Sequence, residues 1–219
     1  MARLKTGVLI SGSGTNLQTL IDATSDPAHP AEITLVISNK PDAGGLERAR
    51  KAGIPTQVIS HADFTGRENF DAALDAALRE AGCELVCLAG FMRILTGAFV
   101  EGWRGRMVNI HPSLLPSFRG LDAQGQALRA GVRLAGASVH FVVPEMDAGP
   151  IVVQGAVPVL DGDDTAALSA RILTVEHRIY PLALRLIASG RVRIEGDRCV
   201  ITDAPNNPDG RLLAPGDSD

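Results

Sequence analysis

The chain has 219 residues, 45% of them hydrophobic and only 4% aromatic, with a formal net charge of −4. That length suits one sizeable core filled by aliphatic residues and alanine. Acids and bases are scattered along the chain, so the clustered Lys and Arg of a nucleic-acid footprint are missing. The apolar run ending at Ile10 is too short for a signal peptide or a membrane span. A cytoplasmic protein with small-molecule partners, and without nucleic acid or membrane, is the expectation. Cys83 and Cys87 lack the second pair or nearby histidine that would complete four metal ligands. With Cys199 they read as buried, reduced thiols, and no metal is expected.

Short apolar runs alternate with helical patterns from the start. Residues 6–11 (TGVLIS) predict a strand buried on both faces, and a helix follows over about 15–23. Residues 33–38 (ITLVIS) are a second strand, 45–52 a helix and 56–59 a short strand. Over 69–81, Phe70, Ala73, Leu74, Ala77, Leu78 and Ala81 share one helical face. Residues 85–89 (LVCLA) and 107–110 are two more buried strands. Unbroken apolar strands in a βαβα rhythm predict an α/β fold with a mostly parallel twisted sheet and helices on both faces. Two longer strands, 137–143 and 150–158, come next. Over 165–190, Leu168, Ile172, Val175, Ile179, Leu182 and Leu186 mark a long amphipathic helix. A bend or break is expected at Pro181, and Gly190 is placed to end the helix. The segment from Asp203 is rich in Pro, Gly, Asn and Asp, which predicts a flexible tail over 204–219. One domain over 1–203 is expected.

Three segments carry chemistry. SGSGTNL (residues 11–17) joins a buried strand to a helix. Its glycines allow close backbone approach, and the N–H groups opening the helix suit an anion such as phosphate. It is neither a Walker A loop nor a three-glycine dinucleotide fingerprint, and a plain strand–helix turn capped by Thr15 or Ser13 fits the residues equally well. NIHPSLLP (109–116) lies at the carboxyl end of a predicted buried strand, where ligands of open α/β sheets bind. Asn109 and His111 alternate with Ile110, so both project to one side. An amide and an imidazole there can donate to a developing oxyanion, or simply satisfy loop carbonyls. VPEMDAGPI (143–151) sets Asp147 in a turn between strands. Its carboxylate can orient a histidine, or bond its own backbone in an Asx turn.

Together SGSGTNL, CLAGFMRIL (87–95), NIHPSLLPSF (109–118), SVHFVVPEMDAGPI (138–151) and EHRIYP (176–181) resemble the glycinamide ribonucleotide formyltransferase family. The likeness runs from about Val8 to Gly190 in the family's order. It implies a nucleotide-binding half over about 1–105 and a folate-binding, catalytic half over 106–203, with 10-formyltetrahydrofolate as co-substrate. Matched to the family's roles, Asn109, His111 and Asp147 are the catalytic trio. Gly14, Thr15, Asn16 and Glu176 contact the ribonucleotide. Met92, Arg93, Ile94 and Leu95 border the pterin pocket, Arg67 contacts folate, and Val143, Pro144, Glu145, Met146 and Asp147 form the loop over the pterin ring. One departure is Gln124, where family members often carry histidine. The resemblance leaves monomer and homodimer open. Two related activities compete: a deformylase is expected to carry an added N-terminal regulatory domain, and a tRNA-directed formyltransferase an added C-terminal RNA-binding domain. The first strand here begins almost at Met1, and the chain nearly ends after the long helix. No cysteine sits beside a strand-end histidine and no Gly-x-Ser-x-Gly elbow occurs, which argues against a covalent enzyme intermediate.

Overall fold

The computed structural model describes residues 2–203; the expected tail lies outside them. Strand β1 (Leu4–Ile10) feeds helix α1 (Thr15–Thr24), β2 (Ala31–Ser38) feeds α2 (Gly44–Lys51), and β3 (Thr56–Val58) leads to α3 (Arg67–Glu80). Then come β4 (Leu85–Leu88), α4 (Gly97–Gly102), β5 (Met107–His111), α5 (Ala123–Ala130), β6 (Leu134–Phe141) and β7 (Ile151–Pro158). Helix α6 (Thr165–Ala188) and a hairpin of β8 (Val192–Glu195) and β9 (Arg198–Ile201) complete the described chain. Seven strands form one sheet in the order β3-β2-β1-β4-β5-β6-β7. Pairing is parallel from β3 through β5 and antiparallel from β5 to β7. The expected mostly parallel α/β sheet is what forms.

Period-two alternation sorts the strand residues into two cores. Val8, Ile10, Val36, Cys87, Val108 and Ile110 pack with α1, α2, α5 and α6 on one face. Leu9, Ile37, Val86, Leu88 and Met107 pack with α3 and α4 on the other. Both faces of the parallel strands are covered, which is why these strands read as continuous apolar runs.

Helix α6 does not break at Pro181 but continues to Ala188. Proline removes one backbone donor and costs about 3 kcal/mol in a helix interior. Ile179, Tyr180, Ala183 and Leu184, on either side of it, are all buried, so tertiary packing outweighs that local cost. Gly190 follows the helix end with φ +68°. Leu182, expected in the apolar stripe, is exposed, and the fully buried Tyr180 takes the sheet-facing position instead. The Tyr180 hydroxyl donates to the Leu88 carbonyl at 2.9 Å and lies 3.4 Å from the Val108 carbonyl. It thus ties α6 to the strands β4 and β5. We predict that Tyr180→Phe, by removing a buried hydroxyl bond to β4, destabilises the fold by about 0.5–1.5 kcal/mol. Urea unfolding measures this, and an unshifted midpoint would mean that the hydroxyl bond contributes nothing net.

Candidate active site

The turn after β1 is shaped by a close approach between two backbones. Gly14 has φ +71°, and a Cβ built there would stand 2.5 Å from the Gly45 Cα. The Gly45 N–H donates to the Gly12 carbonyl at 3.1 Å, and Arg48 Nε donates to the Ser13 carbonyl at 2.8 Å. The start of α2 therefore holds the turn from behind. No side chain caps the N-terminus of α1, so neither Thr15 nor Ser13 plays the capping role open to it. The first-turn N–H groups face outward with the positive end of the helix dipole.

Two residues beyond Gly14, Asn16 Nδ2 donates to Glu176 Oε2 at 2.7 Å. Glu176 occupies the apolar face of α6, between Ile172 and Tyr180 at four-residue spacing, and is only 8% exposed. Burial pushes its carboxyl above the ordinary range, while the Asn16 hydrogen bond and the charge of His111 oppose that rise. Asn16 Oδ1 is buried and without a partner among the described residues.

The carboxyl end of β5 carries Asn109 and His111. They share the parity of Met107, which faces the α3/α4 core, and both line one cavity of about 460 Å³. Asp147 joins them from the loop between β6 and β7. That loop turns back tightly: a Cβ at Gly149 would fall 1.8 Å from the Phe141 carbonyl oxygen. Asp147 adopts φ +51°, a conformation that aspartate tolerates better than most residues. Its Oδ2 lies 3.4 Å from His111 Nδ1 and accepts from the Gly120 N–H at 2.9 Å. On the other side of the ring, His111 Nε2 lies 2.9 Å from the Phe118 carbonyl. Both ring nitrogens thus face acceptors. Burial pushes the Asp147 carboxyl up, but hydrogen bonds from His140 and the Gly120 N–H, with the nearby imidazole charges, more than offset it and hold it below the ordinary range.

A second histidine, His140, escaped the sequence reading. Its Nε2 stands 3.6 Å from Asp147 Oδ1 and 3.4 Å from Asn109 Nδ2, while its Nδ1 is 3.0 Å from the Phe141 carbonyl. It is the register partner of Asn109 across the β5–β6 ladder. The available signal was a histidine inside an otherwise apolar strand run, SVHFVV, only seven residues before Asp147.

The cavity wall includes Met92, Arg93, Ile94 and Leu95, together with Val143, Pro144, Met146 and Asp147. Met92 is 70% exposed and Ile94, Leu121 and Met146 are also open to solvent, so its rim presents apolar side chains to water. Gln124, in the first turn of α5, also lines it. Arg67 opens α3 and is exposed; neither it nor Glu145 belongs to the wall, and Glu145 pairs with Arg119 at 2.9 Å. Gly14, Thr15, Asn16 and Glu176 lie off the wall as well, beside the α1 terminus. Buried Cys87 has its thiol pushed up to about 12, and Cys199 to about 11, by burial, which disfavours the nucleophilic thiolate form. Among the described residues, no helix is long and apolar enough to cross a membrane.

Comparison with known proteins converges on one family. A family model for formyl transferase matches residues 4–184. The phosphoribosylglycinamide formyltransferase of Escherichia coli (strain K12) is 48% identical over 187 residues, covering 85% of this chain and 88% of that protein. The human trifunctional purine biosynthetic protein adenosine-3 is 54% identical over 192 residues. The match takes in 88% of this chain but only 19% of that much longer protein. Among solved structures, glycinamide ribonucleotide transformylase 1 from Symbiobacterium toebii superposes with a TM-score of 0.90 at 52% identity, covering 92% of this chain and 95% of that one. A formyltetrahydrofolate deformylase from Pseudomonas syringae shares the fold at a TM-score of 0.85 but only 27% identity, covering 92% of this chain and 66% of its own. The chain belongs to the formyl transferase family.

Proposed function

We propose that this protein transfers the formyl group of 10-formyltetrahydrofolate to the amine of glycinamide ribonucleotide, in purine biosynthesis. The single observation that carries the reading is the meeting of Asn109, His111 and Asp147 at one cavity, with Asp147 Oδ2 3.4 Å from the His111 ring. Identity of 48–52% to proteins named for this activity, against 27% to a deformylase, favours transfer over hydrolysis of the same donor. A cavity of about 460 Å³ with mixed apolar and polar walls falls within the range that takes a flat heterocycle such as a pterin. The uncapped α1 terminus suits the ribonucleotide phosphate.

In this mechanism the donor supplies a formyl carbon that becomes tetrahedral as the substrate amine adds. The new N–C bond forms, the bond to the folate nitrogen breaks, and the proton lost by the amine ends on that nitrogen. Asn109 donates through Nδ2 to the developing oxyanion. His111 donates through Nε2–H to the developing oxyanion, which replaces the Phe118 carbonyl as acceptor. Asp147, kept ionised by its donors, holds the His111 ring in orientation. Glu176 and Asn16 hold the ribose, and the turn at Gly14 holds the phosphate. Orientation of two substrates in one cleft supplies the other large contribution.

The deciding measurement is turnover with both substrates. Formylated ribonucleotide should appear in step with tetrahydrofolate, whereas release of formate with no ribonucleotide requirement would establish the deformylase instead. His111→Ala should lower turnover on the order of 10²–10³-fold. Asp147→Asn should lower turnover more than it weakens substrate binding, and the double variant should lose less than the product of the single losses, because the two act as a unit. Strictly multiplicative losses would sink the pairing.

Gly14→Ala forces a side chain into a left-handed position, a strain of about 1–2 kcal/mol. If moving the turn relieves it, ribonucleotide affinity falls by roughly 5–30-fold. Calorimetry should show folate binding falling far less than ribonucleotide binding, and equal loss of both ligands would place the phosphate elsewhere.

Glu176→Gln separates binding from stability. The folded carboxyl titrates above its unfolded value of about 4.3. Its contribution to stability is therefore present below that value and lost as pH rises through the folded one. The Gln variant should match wild type near pH 4, be the more stable at neutral pH, and show a raised KM for the ribonucleotide. A variant less stable than wild type at pH 7 would mean that the Asn16 bond outweighs burial.

A further inference from the structure

One buried hydroxyl ties together the carboxyl ends of three neighbouring parallel strands. Ser11 follows β1 and is 5% exposed. Its Oγ donates to Asn39 Oδ1, just past β2, at 2.6 Å, and accepts from the Met92 N–H, beyond β4, at 2.8 Å. Asn39 Nδ2 in turn lies 3.3 Å from His61 Nδ1, so both ends of that amide are engaged. Ser11 directly precedes the Gly12–Asn16 turn, and Met92 belongs to the cavity wall. We propose that Ser11 is a positioning residue that couples the ribonucleotide turn to the folate cavity, so that filling one subsite prepares the other. This rests on the formyl-transfer reading above and goes beyond it, because nothing in the chemistry requires the two subsites to communicate.

The physical case is one of geometry. A hydroxyl has a single proton and a small set of acceptor directions, so a shift of the turn that moves Oγ relative to Asn39 also moves it relative to the Met92 N–H. Ser11 is 5% exposed and its bond to Asn39 is buried, and an unmade buried bond is costly. A ligand anion that fixes the Gly12–Asn16 turn therefore also narrows the positions open to Met92. Linkage requires the reverse effect to be equal.

The test is ribonucleotide affinity with and without a folate analogue that lacks a transferable formyl group. In wild type each ligand should tighten the other by about 5-fold or more, at the lower end of the usual coupling range. Ser11→Ala should bring that factor close to one while each ligand alone still binds. A factor retained in Ser11→Ala, or a factor of one in wild type, overturns the proposal. If Ser11→Ala does not fold, amide exchange in the wild-type protein decides. Glycinamide ribonucleotide alone should slow exchange at Met92, and a Met92 amide indifferent to it overturns the coupling. A wild-type protein that turns over both substrates while failing these tests loses only the coupling. One that neither binds nor formylates the ribonucleotide loses the functional reading and the coupling together.

Discussion

The site depends on the double pairing of β5. On one side it runs parallel to β4, on the other antiparallel to β6, and this reversal is where the sheet changes from βαβ construction to hairpin construction. Parallel pairing sets the carboxyl end of β5 beside the ends of β4 and β1, where ligands of open α/β sheets bind. Antiparallel pairing sets His140 opposite Asn109 and lets the loop after β6 fold back to deliver Asp147. A one-residue slip would turn Asn109 and His111 into the α6 core and point Val108 to the α3/α4 side in their place. The apolar alternation of β5 is therefore as much a requirement of the proposed chemistry as the polar residues are.

Because the two cores lie on opposite faces, the two proposed subsites fall on different sides of the sheet. The proposed ribonucleotide contacts sit on the α1/α6 side and the cavity on the α3/α4 side, with the end of β5 between them. Each proposed subsite is shaped by its own glycine contact, Gly14 against Gly45 and Gly149 against the Phe141 carbonyl. In both places the chain must come nearer to another backbone than any Cβ allows. Ser11 then stands at the one point where the strands serving both subsites end side by side.

Much of this was legible in the sequence, and what was missed has physical causes. Runs such as TGVLIS and LVCLA announced buried parallel strands because both faces are covered. Asn109 and His111 could be assigned to one side by strand parity. Helix α5 (AQGQALRA) carries a weak apolar pattern and a glycine, and its preceding Asp122 makes no capping bond, so neither period nor cap signalled it. The β8–β9 hairpin did leave a signal, a Gly-Asp pair at 196–197 between short alternating runs, too brief to stand out beside α6. Pro181 misled in the opposite way, since a local rule was overruled by packing on both sides of it. Glu176 was readable as a polar residue near the stripe, but only the fold puts it inside the stripe.

That last placement gives the site its electrostatic design. Two carboxylates lie around His111 and their environments drive them apart. Asp147 collects donors, one backbone N–H and two imidazoles, and is held below the ordinary range despite burial. Glu176 has one amide donor in an apolar helix face, and burial raises it. Carboxylates separated in this way are suited to different tasks. Asp147 is held ionised by its donors, which suits the orienting role proposed for it beside the His111 ring. Glu176 is an anion under tension, desolvated and supported by only one hydrogen bond. It gains most from a ligand that brings further donors, such as the hydroxyls of a ribose, because those donors offset a cost already incurred on folding. The fold thus supplies a fixed charge where chemistry is proposed and a ligand-seeking one where binding is proposed, from two acids that sequence alone would treat alike.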